Sequence, residues 1–422
     1  MEPKMSGAPD RPALRRLSPE KVLGLAAVLG AAAFAVAVAT GATARAWQAF
    51  HVNYLFWTGL GFSGVVLSAV FRVTDSRWGL AVRRLGECTA ALVPLSLLLF
   101  LGVVAGYGSL APDLHHLGPA KRLWLQPAFL LARDAGALAL LAACALLYLY
   151  FSLRPDVGAA RDAGGTPLGS LGAWLSRGWR GAADEARRSR RMTGILAPVL
   201  ILVYCLVFTL LANDLVMGLD PTWTSTLFGA YFFITNLYAG WAALALAASL
   251  ARLGDWRGLR ATATTDVLHN LAKLLFAFCF LSMDFFWSQF LVIWYGNLPE
   301  ETAFVLRRIR VEPWSDLAFA VLLFLFFVPF FALLFKRLKR DPRTLAILSL
   351  LVIAMLWLER FLLVAPSVWP HGGLPLGPLE LGVTVGFAGL AGLAYLWLAR
   401  RVPLAPAPEV VAAQAAEEAA DG

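Results

Sequence analysis

Ten apolar runs, each about twenty residues or longer, follow one another along this chain, near 22–43, 52–71, 86–107, 128–153, 194–217, 224–250, 267–295, 314–335, 344–365 and 378–399. A helix rises about 1.5 Å per residue, so about 20 apolar residues cross the hydrocarbon of a bilayer. None of the runs alternates apolar with polar residues as the strand of a membrane barrel must. They predict an all-α, polytopic integral membrane protein of about ten transmembrane helices. Composition points the same way: 59% of the 422 residues are hydrophobic and 15% charged. So few charges cannot cover a water-soluble body of this size. Soluble enzymes, nucleic-acid binders and disordered scaffolds are thereby excluded. The first run is long enough to remain as a spanning helix, so no cleavable leader is expected.

The net charge of +9 reports orientation. Both terminal tails and the loops on their side carry 27 of the 36 Lys and Arg, and the loops on the other side carry six. Arg133, Lys273 and Arg360 fall inside runs. This asymmetry places both termini in the cytoplasm. The chain then divides into a cytoplasmic tail (1–21), helices one to four (22–153), a basic cytoplasmic linker (154–193), helices five to ten (194–400) and an Ala/Pro/Glu-rich disordered tail (401–422). The linker holds Arg177, Arg180, Arg187, Arg188, Arg190 and Arg191. The spacing of Leu171, Trp174, Leu175 and Trp179 predicts an amphipathic helix on the inner leaflet.

Ionisable groups inside spans are costly and mark function by default. The seventh run is richest, with Asp266, His269, Lys273 and Asp284. His269 and Lys273 are four residues apart on one face, and Asp284 follows Lys273 by about three turns, roughly 16 Å. A proton path needs titratable stations at such intervals, and one helix supplies too few. Asp214 in the fifth run and Glu359 with Arg360 in the ninth add candidates. Adjacent residues point about 100° apart on a helix, so Glu359 and Arg360 are not required to pair with each other. For Glu87, Asp266 and Arg133, near span ends, snorkelling or capping is the expected role.

Cofactor ligands are sparse. Cys88, Cys144, Cys205 and Cys279 stand alone in apolar runs without a CxxC, and read as small buried side chains. Of the five histidines only His269 is assigned to a span, with His51, His115, His116 and His371 in outer loops, which argues against a transmembrane haem. No Walker loop, HExxH or GxSxG is present. Aromatics gather at the outer end of the seventh run: Phe285, Phe286, Trp287, Phe290, Trp294 and Tyr295. They fit an interfacial belt. They also fit the wall of a quinone headgroup site, with Ser288 or Gln289 as hydrogen-bonding groups.

Two long segments carry a resemblance. Asp214-Leu-Val-Met-Gly-Leu-Asp-Pro-Thr-Trp-Thr-Ser-Thr-Leu-Phe-Gly-Ala-Tyr231 is the first. His269-Asn-Leu-Ala-Lys-Leu-Leu-Phe-Ala-Phe278, followed by Trp287-Ser-Gln-Phe-Leu-Val-Ile-Trp-Tyr-Gly-Asn-Leu-Pro-Glu-Glu301, is the second. In this order they resemble the ActF membrane subunit of alternative complex III, a relative of the NrfD/polysulfide-reductase type of quinone-interacting membrane protein. The resemblance is dense from about 194 to 370 and architectural before that. It implies two four-helix bundles flanked by the first and last helices, in a bacterial cytoplasmic (inner) membrane.

It also implies a role: an integral subunit of a quinol:cytochrome c (electron-acceptor) oxidoreductase, without a redox cofactor of its own, that scaffolds the complex and conducts protons. The partners implied are a homologous ten-helix quinone-binding subunit, an iron–sulfur/molybdopterin-like subunit and c-type cytochrome subunits, which would hold the haem c and iron–sulfur clusters. The proton path would use His269, Lys273, Asp284, Asp214, Glu359 and Arg360. Trp287, Ser288, Gln289 and Trp294 would lie near quinone. The chain departs from the family pattern His-Asp-Leu-Gly-Lys with His269-Asn-Leu-Ala-Lys273, losing one carboxylate for which Asp284 is a candidate replacement. A reading from another class is a stand-alone proton- or ion-coupled transporter. Pro94, Pro198 and Pro329 interrupt runs, but not at matched positions of two halves.

Overall fold

The computed structural model describes residues 18–164, 169–369 and 373–405, so His371 and most of both tails lie outside it. Ten helices long and apolar enough to cross a membrane occupy these residues. They are α1 (Pro19–Ala39), α2 (Thr43–Val73), α3 (Arg83–Ser109), α4 (Pro127–Asp162), α5 (Ala182–Leu219), α6 (Phe228–Gly254), α7 (Thr265–Gly296), α8 (Trp314–Leu334), α9 (Pro342–Val368) and α10 (Pro378–Ala399). No strand occurs among the described residues. Proline opens α1, α4, α9 and α10, where its missing N–H has no helical partner to lose. Asn297 in the left-handed region closes α7.

Helices α2–α5 pack as one four-helix bundle and α6–α9 as a second, joined by α2 against α6 and α9 and by α5 against α6. Helix α2 is buried on every side. Helices α1 and α10 pair with each other and rest on α2. Their seam is made of small residues: a Cβ on Gly30 would run into the backbone of Gly386, and one on Gly382 would press on Ala33. Without water to drive apolar surfaces together, close backbone approach is what holds such a pair. An ion pair from Glu20 to Arg400 closes the end where α1 begins and α10 finishes, called here the near face. Arg45 and Glu380 pair at 2.7 Å on the far face.

Helix α8 is broken by a π-helical turn at Leu322–Phe327. Pro329 lacks the N–H that the Leu325 carbonyl would otherwise accept. Tyr238 donates its hydroxyl to that carbonyl at 3.3 Å, and the Cys279 thiol reaches the next one, Phe326, at 3.5 Å. Irregular backbone at membrane depth survives where such groups re-satisfy it. Cys279 thus has a polar contact beyond filling space.

The linker is shorter than the sequence suggests. Helix α4 runs on to Asp162 and α5 starts at Ala182, so much of 154–193 extends two spans. A buried bidentate pair fastens the extensions, with Arg154 donating to Glu185 at 2.7 and 2.8 Å. Leu175 is buried, and Trp179 covers Gly158 while donating to Asp162 at 2.7 Å. The predicted amphipathic segment therefore packs partly on protein.

Candidate functional site

Two buried charged clusters lie in the first bundle, at opposite ends. At the far face Asp214 of α5 is fully buried. It accepts from Arg133 at 2.6 and 3.1 Å and from the Trp124 indole at 3.0 Å. The Arg133 guanidinium lies over the Trp124 ring, 3.8 Å from its centroid. Asp134 of α4, also fully buried, lies beside Asp214, and the Tyr54 hydroxyl lies beside Thr58. The Tyr107 hydroxyl and both amide atoms of Gln48 are buried without a partner among the described residues. His51, one turn after Gln48, makes a 2.7 Å contact to the Leu215 carbonyl. Buried polar atoms are almost always bonded, so this concentration of unmet ones makes the far cluster a candidate site.

The near-face cluster is bonded throughout except at Arg83 Nε. Arg84 of α3 donates to Asp156 of α4 at 3.0 Å, to the Ser152 hydroxyl at 3.0 Å and to the Ser152 carbonyl at 2.6 Å, and pairs with Glu87. Glu87 also accepts from Ser68 and Ser152, each at 2.6 Å. Ser68 meets the Tyr148 hydroxyl at 3.1 Å. Arg83 stands 3.8 Å from Glu87 and 4.0 Å from Asp156, so two cations face two carboxylates. From Asp134 to Tyr148 along α4 is about 21 Å, the depth separating the clusters.

Midway, a third network crosses between the bundles. The Ser63 hydroxyl of α2 donates to the Asn236 carbonyl at 2.9 Å and meets the Tyr204 hydroxyl of α5 at 3.1 Å. Arg360 of α9 donates to Asn236 Oδ1 at 2.9 Å and to Thr235 at 2.7 Å, and pairs with Glu359. Glu359, beside the Tyr231 hydroxyl, lines a cavity of about 320 Å³ in the second bundle. Aromatic rings wall this cavity, among them Phe228, Phe290 and Phe326, and Tyr231, Gln289 and Arg308 supply polar groups. Gln289 Oε1 is buried and unpartnered. Arg308, on the extramembrane helix Pro299–Ile309, is held by the carbonyls of Phe304, Leu362 and Leu363 at 2.7–2.9 Å. Burial pushes its guanidinium down from its ordinary value, opposed by the nearby Asp220 carboxylate.

Several expectations change. Glu359 and Arg360 do pair with each other: buried among apolar helices, the long Arg360 side chain spans the 100° between neighbours. Glu87 does not snorkel and is 1% exposed. Arg133 turns inward onto Asp214 instead of out to water. His51 lies within α2, not in a loop, because the helix extends outward past the apolar run that marked it. Lys273 and Asp284 face outward from the bundle. Lys273 bonds only its own helix, at Asn270, 3.0 Å away. His269 is half-buried at the near end of α7, with Nδ1 unpartnered. Of the belt residues Phe286, Gln289 and Phe290 line the cavity, while Trp287 and Trp294 are exposed and Ser288 is half-buried outside its wall. Asp134, Asp156, Tyr54 and Tyr148 are not among the residues singled out from sequence, whereas Asp214 of the far cluster is; the adjacency Arg133-Asp134 is the signal that could have added Asp134.

No protein-family model matches the chain, and no curated protein matches it.

Proposed function

We propose that this chain is a proton-conducting membrane subunit of a quinol-oxidising respiratory complex of the alternative complex III type, carrying no redox centre itself. The observation that supports conduction most directly is the pair of buried charged clusters at opposite ends of the first bundle. Between them lie the hydroxyls of Ser63 and Tyr204 and the amide groups of Asn236. The resemblance of the segments 214–231 and 269–301 supports the complex.

In this reading the near face is cytoplasmic, as the Lys and Arg asymmetry directs. Arg133 offers one positive charge to the two carboxyls Asp134 and Asp214, so the far cluster reaches charge balance when it holds one proton. The near cluster, with Glu87 and Asp156 against Arg83 and Arg84, is balanced in charge and marks the cytoplasmic end of the path. Ser63, Tyr204 and Asn236 relay between the levels and couple them to Glu359. The path thus runs through the first bundle and across to α9, rather than along Lys273 and Asp284. The aromatic cavity beside Glu359 and Gln289 has the walls and the acceptors suited to a dihydroxy ring.

The first test is a gentle-detergent purification of the tagged chain with a reduced-minus-oxidised optical spectrum. A c-type haem band with co-purifying large subunits is expected. A colourless preparation of this chain alone would overturn the reading in favour of a stand-alone transporter. In the assembled complex, Asp134→Asn should lower protons moved per electron with assembly intact, and an unchanged ratio would remove the far cluster from the path.

A further inference from the structure

One face of α7 is left open along its whole length, and its sequence is not that of a lipid-facing surface. The residues at 273, 277, 280, 284, 287, 291 and 294 are Lys, Ala, Phe, Asp, Trp, Leu and Trp, and all are exposed except Leu291, which is half-buried. Their spacing alternates four and three, the 3.5-residue repeat by which one helix packs along another. The opposite face of α7, with Leu268, Leu271, Leu275 and Cys279, is already buried inside the bundle.

Two members of the seam are charged. Asp284 lies within about 6 Å of the mid-length of α7 and has a single methylene, so it cannot reach the interface as a long side chain does. Lys273 sits about 16 Å nearer the near face. Charged groups at such depth are met by partners or by water-filled cavities, not by acyl chains.

We propose that this seam binds one transmembrane helix of a different polypeptide, bearing a carboxylate at the depth of Lys273 and a basic or hydrogen-bond-donating group at the depth of Asp284. A second copy of this chain is disfavoured by symmetry. Two copies inserted in the same direction meet at equal depth, setting Lys273 on Lys273 and Asp284 on Asp284. This inference rests on the membrane-spanning fold and not on the proton or quinol chemistry proposed above.

The test places a photo-crosslinking amino acid at Ala277 in the full chain, in its native membrane, with Ile347 of α9, 69% exposed, as the control position. The expected result is an adduct from position 277, and not from 347, whose linked peptide maps to a hydrophobic helix of another protein with an acidic residue. Lys273→Glu should cut its yield at least tenfold, while Lys273→Arg should retain it. Folding of each variant is checked by monodisperse elution in detergent. An adduct with a second copy, an adduct with lipid alone, or a protein adduct indifferent to Lys273→Glu would each overturn the proposal. None of these outcomes depends on haem or proton movement, so failure here leaves the proposed function to its own tests.

Discussion

Replacing Arg84 by Met removes the cation that holds the near-face cluster together. Arg84 is 1% exposed and donates to Glu87, Asp156 and Ser152, while Glu87 and Asp156 are 1% and 0% exposed. The variant leaves two carboxylates in the membrane interior with Arg83 as their one remaining cation, at 3.8 and 4.0 Å. Breaking a buried pair by removing one partner costs about 3–5 kcal/mol, because the other charge stays buried. At about 1.4 kcal/mol per tenfold, the unfolding equilibrium should shift by about a hundred- to several-thousand-fold. The double variant Arg84→Met, Asp156→Asn leaves Arg83 against Glu87 with the charges balanced and should recover most of the loss, to within about 1 kcal/mol of the parent. Titration with a denaturing detergent, followed by tryptophan fluorescence, measures both. If Arg84→Met alone falls within about 1 kcal/mol of the parent, or if the double variant is worse than the single, the cluster is hydrated and the burial argument fails.

Gly386→Leu should part α1 from α10, costing about 1–3 kcal/mol by overpacking, and a disulfide engineered across the seam should no longer form. Tyr238→Phe leaves the Leu325 carbonyl with the weaker thiol alone and should lower stability by about 1 kcal/mol, read from the same titration. At the start of α9 the Thr344 hydroxyl and N–H, 2.6 and 2.8 Å from Asp341, hold that carboxyl below its ordinary value of 3.8. A carboxyl lowered by folding stabilises above its unfolded value and loses that contribution as pH falls through the folded one. Asp341→Asn should therefore differ from the parent at neutral pH and converge with it in strong acid, as melting curves across pH 2–7 would show.

The ten spans were legible because a bilayer imposes length and apolarity on each segment independently of its neighbours. Which charges meet was not, since that depends on helix rotation and on which spans become adjacent. Arg133 illustrates the difficulty: its position near a span end suits snorkelling, and only the approach of α5 supplies Asp214 as a stronger partner. Lys273 and Asp284 show the converse, for their shared face was readable from spacing but not the direction in which it points. Asp134 escaped attention because a carboxyl beside an arginine in sequence suggests a local pair, whereas here Arg133 bonds Asp214 and Asp134 is left to face it.

The glycine seam between α1 and α10 has a consequence for how the protein is made. Gly30 leaves the ribosome about 350 residues ahead of Gly386, which at about 5–20 residues per second is a wait of roughly 20–70 s. During that interval α1 has no mate, and eight other helices insert and pack. The bundles must be stable enough to form without it. The pairing that closes the molecule is the last to become available, and a ribosome that stalls before α10 leaves a nearly complete protein with its first helix adrift.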